Sequence, residues 1–290
     1  ILIFSSALNT TETYTSFNAI SLGALDVMEK PDVSQPEQMA KVAEKIVKKV
    51  ELLSKIKVIT HIKGKYLTAK KEAEAKIESE KEQQQKKRAR SNLFRPYQLL
   101  AVGASTGGPA ALLKILLEFP MDFSLPICVV QHIADGFVEG LVEWMDREIE
   151  MKVRVAENET LLESGVVYFA PNQTEMLIEN QRIYLTAKLA PWNEHRPSAN
   201  YLFRSVAQDC RHNAIGLILT GMGNDGSEGL LEMRKMGAHT IAQDEPSSVV
   251  FGMPKAAIEK KAVSHVLGLD DIASHILHIT GEDNESDDID

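Results

Sequence analysis

A serine, a histidine and an aspartate each stand just after a short apolar run in this sequence. Ser105 lies in Gly103-Ala-Ser-Thr-Gly-Gly108, behind Leu99–Val102. His132 follows Val129, Val130 and Gln131, and Asp225 lies in Thr220-Gly-Met-Gly-Asn-Asp-Gly226, behind Leu217–Leu219. A serine hydroxyl is a weak nucleophile until a neighbouring base takes its proton. A histidine can be that base, and an aspartate can orient the imidazole and stabilise its charged form. Glycines on either side of Ser105 permit unusual backbone angles and close approach of a substrate. A helix starting just after Ser105 would leave free N–H groups near it, and the N–H of Thr106 is well placed to hold an oxyanion.

Each residue also has a plainer reading. Gly-Ala-Ser-Thr-Gly fits a phosphate-binding turn, although it lacks the lysine of a P-loop and its glycines do not match G-x-G-x-x-G. His132 alone is a common kind of strand-end residue, and Asp225 alone could cap the next helix. The coincidence of all three at strand ends favours the joint reading, since ligands of open α/β sheets bind at the carboxyl ends of the strands. The chain order is Ser, His, Asp. An ordinary lipase or esterase runs Ser, acid, His, so that topology is disfavoured although G-x-S-x-G matches.

The elements that must position these residues are legible as alternation. Gln98–Val102, Pro126–Val130, Val166–Phe169, Ile215–Leu219 and Thr240–Ala242 read as strands. Ala110–Phe119, Phe137–Arg147, Ala199–Asp209 and Ser227–Met236 read as helices between them. Short continuous apolar strands alternating with helices imply an α/β fold, a mostly parallel sheet covered on both faces. Residues 157–185 differ: turn residues Asn172 and Asn180 separate short alternating runs, as in an antiparallel hairpin. Upstream, Ile1–Ser6 reads as a strand, Thr13–Leu22 as a helix and Ala24–Met28 as a second strand. From Pro36, the spacing of Met39, Val42, Ala43, Ile46, Val50 and Leu53 is that of an amphipathic helix.

Length and composition set the frame. The 290 residues suggest about two domains, and 44% hydrophobic residues suffice for a globular core. A net charge of −9 argues against nucleic acid as the main partner. The basic run Lys86-Lys-Arg-Ala-Arg90 and the acidic end from Glu282 read as solvated segments. Residues 60–95 are rich in Lys, Glu, Ala and Gln and carry too few large apolar side chains for a buried stripe, so they read as a charged helical or disordered linker. The two cysteines, Cys128 and Cys210, make neither a disulfide framework nor a zinc site, and no metal or cofactor is expected. No signal peptide or membrane-spanning stretch is visible, so a cytoplasmic protein without membrane insertion is expected. The chain opens inside an apolar run at Ile1, as though residues upstream belong to the same fold.

Residues 98–280 resemble the catalytic domain of the chemotaxis protein-glutamate methylesterase family. The resemblance rests on Val102-Gly-Ala-Ser-Thr-Gly-Gly-Pro109, Val130-Gln-His132, Tyr168-Phe-Ala-Pro171, Arg196-Pro-Ser198, Leu219-Thr-Gly-Met-Gly-Asn-Asp-Gly226 and Gly252-Met-Pro254, in that order along the domain. It implies a doubly wound, mostly parallel sheet with an antiparallel edge hairpin, and a triad of Ser105, His132 and Asp225. It further implies that Thr106 and Met222 occupy active-site positions, Met222 through its N–H. The implied substrate is a γ-glutamyl methyl ester on the cytoplasmic helices of a chemoreceptor, with receptor glutamines deamidated as well and no cofactor used.

Residues 1–59 resemble the C-terminal half of a receiver domain, with Ser5 or Ser6 at the switch hydroxyl and Lys30-Pro31 matching its Lys-Pro. The receiver's phospho-accepting aspartate would lie upstream, so phosphorylation at the usual site is not expected of this chain. A chemotaxis histidine kinase is a partner the receiver would imply. The expected division is then a partial receiver over 1–59, a linker over 60–95, a catalytic domain over 96–280 and an acidic tail over 281–290. Two positions depart from the family pattern. Glu175-Met176 stands where His-Met usually follows the Ala-Pro turn, and Asn200 stands where Asp commonly follows Arg-Pro-Ser. An esterase or amidase acting on another protein, and a non-catalytic scaffold, are the competing readings.

Overall fold

The computed structural model describes residues 1–5, 10–30, 36–54, 97–187 and 196–282. The charged segment over 60–95, Ser6, Pro31 and the tail from residue 283 lie outside the described residues.

The central sheet has seven strands in the order β11-β10-β9-β3-β4-β6-β5, all neighbours parallel. They are β3 (Leu99–Ala104), β4 (Ile127–Gln131), β5 (Lys152–Val155), β6 (Val166–Phe169), β9 (Ala214–Ile218), β10 (His239–Gln243) and β11 (His265–Leu267). The winding runs from β3 towards β5 in one direction, then restarts at β9 on the other side of β3 and runs towards β11. The reversal lies between β3 and β9, and its crevice opens at their carboxyl ends. The expected parallel α/β sheet is therefore present. The antiparallel hairpin is present too, as β7 (Glu175–Glu179) and β8 (Arg182–Thr186), which pair only with each other among the named strands.

The central strands are buried on both faces, which is why they read as continuous apolar runs rather than alternating ones. In β3, Leu100 and Val102 join one core while Leu99 and Ala101 join the other. The first core holds α3 (Gly108–Leu116), α4 (Val138–Glu148) and α8 (Leu269–Thr280). The second holds α5 (Ala199–Asp209), α6 (Ser227–Lys235), α7 (Met253–Glu259) and the inner face of the hairpin.

The amino-terminal part forms a parallel pair, β1 (Leu2–Ser5) with β2 (Asp26–Glu29), joined by α1 (Thr10–Ser21) and followed by α2 (Pro36–Ser54). Helix α1 does not stand apart. Phe17 is fully buried, stacked on Trp144 of α4 at 5.9 Å and edge-on to Phe137 at 6.5 Å. No helix among the described residues is long and apolar enough to cross a membrane.

Candidate active site

Ser105 is the first residue beyond β3, at the mouth of the crevice. Its main chain is tied on both sides. Ser105 N–H donates to the Thr220 carbonyl at 3.0 Å, and the Ser105 carbonyl accepts from Gly108 N–H and from Gln131 Nε2, each at 2.8 Å. The turn continues through Gly107 in the left-handed conformation (φ 80°) and enters α3, with Pro109 in its first turn. A Cβ on Gly107 would stand 2.6 Å from Val249 Cβ, and one on Gly221 would stand 2.7 Å from Ser105 Cβ. Gly107 thus lets the β3 loop lie against the segment after β10, and Gly221 lets the β3 and β9 loops touch, where a side chain would force them apart.

His132 is the first residue beyond β4, and its N–H donates to the Ala104 carbonyl at 2.9 Å. That bond seats the histidine beside the residue preceding Ser105. Gln131, also buried, fixes the pair further: its Nε2 donates to both the Ser105 and His132 carbonyls. Across the crevice, His132 Nε2 donates to Asp225 Oδ2 at 2.9 Å, with both side chains under 10% exposed. The structure therefore brings Ser105, His132 and Asp225 to one end of three strands.

Asp225 is held by more than the imidazole. Ser198 Oγ donates to Oδ1 at 2.7 Å, Ala199 N–H to Oδ2 at 2.7 Å, and Asn200 N–H to Oδ1 at 3.3 Å. These donors form the start of α5, where orphan N–H groups and the helix dipole favour a negative charge. Burial by itself would raise the Asp225 pKa; the bonds from His132, Ser198 and Ala199 outweigh it and hold the carboxyl below its usual range. The plainer reading of Asp225 as a cap is not met. Gly226 is the residue that caps α6, with no side-chain bond.

Glu175 stands directly behind this arrangement. It is buried, and its Oε2 accepts from Ser198 N–H at 2.7 Å. Burial pushes its pKa up to about 7; the nearby Asp225 charge adds to the rise, while the Ser198 N–H opposes it. Nearby, Asn200 Oδ1 accepts from Gly229 N–H at 2.8 Å, which joins the start of α5 to α6.

Thr106 and Met222 flank Ser105 on the two loops. Among the described residues, neither N–H donates to another main-chain oxygen. Met222 carries its side chain half in solvent, so the approach to Ser105 is open on that side. Thr220 braces the floor. Its Oγ1 donates to the Thr106 carbonyl at 2.9 Å and accepts from Val250 N–H, while its own N–H donates to Gln243 Oε1.

Gln131, Thr220, Gln243 and Glu175 were not singled out as site residues from sequence. Each acts on the loops through partners far away in the chain, so no spacing betrays them. The available signal was type against position: polar side chains at the ends of apolar strands, where burial demands a partner.

With the geometry in place, comparison with known proteins gives a consistent result. Residues 100–276 match the family described as CheB methylesterase. The chain is 37% identical over 288 residues to a protein-glutamate methylesterase/protein-glutamine glutaminase of Nitrosospira multiformis, covering 99% of this chain and 78% of that relative. It is 38% identical over 263 residues to the protein-glutamate methylesterase FrzG of Myxococcus xanthus, covering 90% and 72%. The crystal structure of the Thermotoga maritima CheB methylesterase catalytic domain superposes with a TM-score of 0.60 at 33% identity, over 63% of this chain and 98% of that one. This chain belongs to the CheB methylesterase family.

Proposed function

We propose that this protein is a serine hydrolase that demethylates γ-glutamyl methyl esters on the cytoplasmic helices of chemoreceptors and also deamidates receptor glutamines. The observation that carries the reading is the buried His132–Asp225 hydrogen bond, set beside Ser105 by the bond from His132 N–H to the Ala104 carbonyl.

The chemistry follows from the placement. Asp225 engages Nε2, so Nδ1 is the ring nitrogen that takes the Ser105 proton. Ser105 Oγ attacks the ester carbonyl, and the resulting oxyanion is held by the N–H groups of Thr106 and Met222. The imidazolium returns its proton to the methoxy oxygen as the C–O bond breaks, releasing methanol and leaving an acyl-enzyme. His132 then takes a proton from water, whose oxygen attacks the acyl carbonyl, and passes it to Ser105 Oγ as the acyl C–O bond breaks, freeing Ser105 and the glutamate side chain. A glutamine follows the same steps with ammonia as the leaving group. No step needs a metal or organic cofactor.

In this reading residues 96–280 are the catalytic domain, residues 1–59 correspond to part of a receiver, and the protein works in the cytoplasm. A chemotaxis histidine kinase is the partner that the receiver would bring.

The test is methanol release from methylated receptor. Ser105→Ala should lose activity by a factor of about 10³ or more, because the nucleophile and its base act as a unit. Unchanged release by that variant would remove Ser105 from the mechanism. Full activity on simple esters with none on methylated receptor would favour a different protein substrate.

A further inference from the structure

At the opposite ends of the strands, away from the catalytic loops, three histidines from three elements meet. His239 opens β10, His265 opens β11, and His275 lies on α8. One ring nitrogen of each lies within 4.8 Å of those of the other two. The Nε2 atoms of His239 and His275 are 2.9 Å apart. The ring centroids are separated by 4.5, 5.1 and 4.9 Å.

We propose that His239, His265 and His275 form a binding site for a divalent transition-metal ion, Zn²⁺ foremost, which clamps the sheet edge β10–β11 to α8. This site is separate from the serine chemistry and does not rest on it.

Three imidazoles suit a borderline ion such as zinc and do not suit calcium or magnesium, which want oxygen. Zinc–nitrogen bonds of about 2.0–2.1 Å at tetrahedral angles put donor atoms roughly 3.3–3.4 Å apart. The His239–His275 pair must open by a few tenths of an ångström to reach that spacing. His265 is already steadied, since its Nδ1 lies 3.1 Å from Ser264 Oγ. That contact leaves Nε2 for the ion, and such an outer hydrogen bond is what fixes a ligating ring. A metal takes neutral imidazole. His265 is exposed, so an ion can enter from solvent and a water can complete the tetrahedron.

The mechanical case is equally direct. Strand β11 has three residues, two of them exposed, and among the described residues it pairs with β10 alone. An edge so short gains from a cross-link, and metal bound only by the folded state raises stability by mass action.

The experiment uses the full chain stripped with chelator and titrated with Zn²⁺ by calorimetry, with Co²⁺ as a spectroscopic substitute. One saturable ion per chain is expected, with visible Co²⁺ bands of tetrahedral intensity and a raised melting temperature. His265→Ala should weaken binding by more than the roughly 10–100-fold that loss of an outer partner costs, and so should His275→Ala. His265 is at the surface, so its variant decides the matter if His275→Ala folds poorly. Methanol release should survive both chelation and His265→Ala. Absence of saturable binding, or an affinity unchanged in His265→Ala, overturns the proposal.

Discussion

Glu175 is the residue whose chemistry departs most from what surrounds it. A carboxyl is placed in a buried position behind another carboxylate, and it is kept there by one main-chain N–H. Its pKa is raised from the usual 4.5 to about 7, so the sign of its contribution is fixed. The protonated form favours the folded state, fully below about pH 4.5, and that contribution is lost as pH rises through about 7. A rise of this size corresponds to something on the order of 3 kcal/mol. Glu175→Gln keeps the acceptor for Ser198 N–H and removes the charge. It should therefore be more stable than the parent at pH 8 and nearly equal at pH 5. Urea unfolding at the two pH values checks this; identical pH dependence in both proteins would clear Glu175 of the effect. The meeting of Ser105, His132 and Asp225 was legible in sequence because each lies in the segment that follows an apolar run. The role of Glu175 was not: its position was noticed only as a departure from the family pattern, and its partner Ser198 lies on another element.

At the scale of elements, the crevice between β3 and β9 is set by how closely two loops approach. Gly221 is the contact point. A methyl group there would lie 2.5 Å from Met253 Sδ, 2.7 Å from Ser105 Cβ and 3.1 Å from Ser105 N. The thioether can swing aside, but the root of Ser105 cannot move without breaking its bond to the Thr220 carbonyl. Gly221→Ala should thus lower the turnover number more than it lowers affinity, with a stability loss of about 1–3 kcal/mol from overpacking. Steady-state kinetics and a denaturant midpoint on the same preparation report both, and an unaltered turnover number would show that the loop can yield. The elements most easily read from sequence were those with apolar character on both faces, β3, β4, β6 and β9. Strands β5 and β11 escaped notice because they lie at the sheet edges and present exposed residues, so neither a continuous apolar run nor a clean alternation marks them. The three histidines escaped for a related reason. They come from β10, from one of those edge strands, and from a helix, and no short spacing joins them.

For the whole molecule, the amino-terminal unit and the main sheet share a core. Phe17 carries the contact from α1, lying against Trp144 and Phe137. The resemblance of residues 1–59 to half a receiver gave no hint of this packing, because a surface that docks on another unit looks like any other apolar stripe in sequence. Phe17→Ala should cost about 3–5 kcal/mol of the contact, the range for removing a buried phenylalanine. Hydrogen exchange should then show α1 losing protection while β3, β4 and β9 keep theirs. Equal loss across the central strands would mean the two parts unfold only together. The way Asp225 is held has a further meaning for descent. Two of its four donors are main-chain N–H groups, which every residue but proline supplies, and only Ser198 and His132 contribute by side-chain identity. A change of side chain at Ala199 or Asn200 therefore leaves the donated N–H in place, and what restrains descent there is packing, since Ala199 is fully buried and Asn200 Oδ1 holds Gly229 N–H.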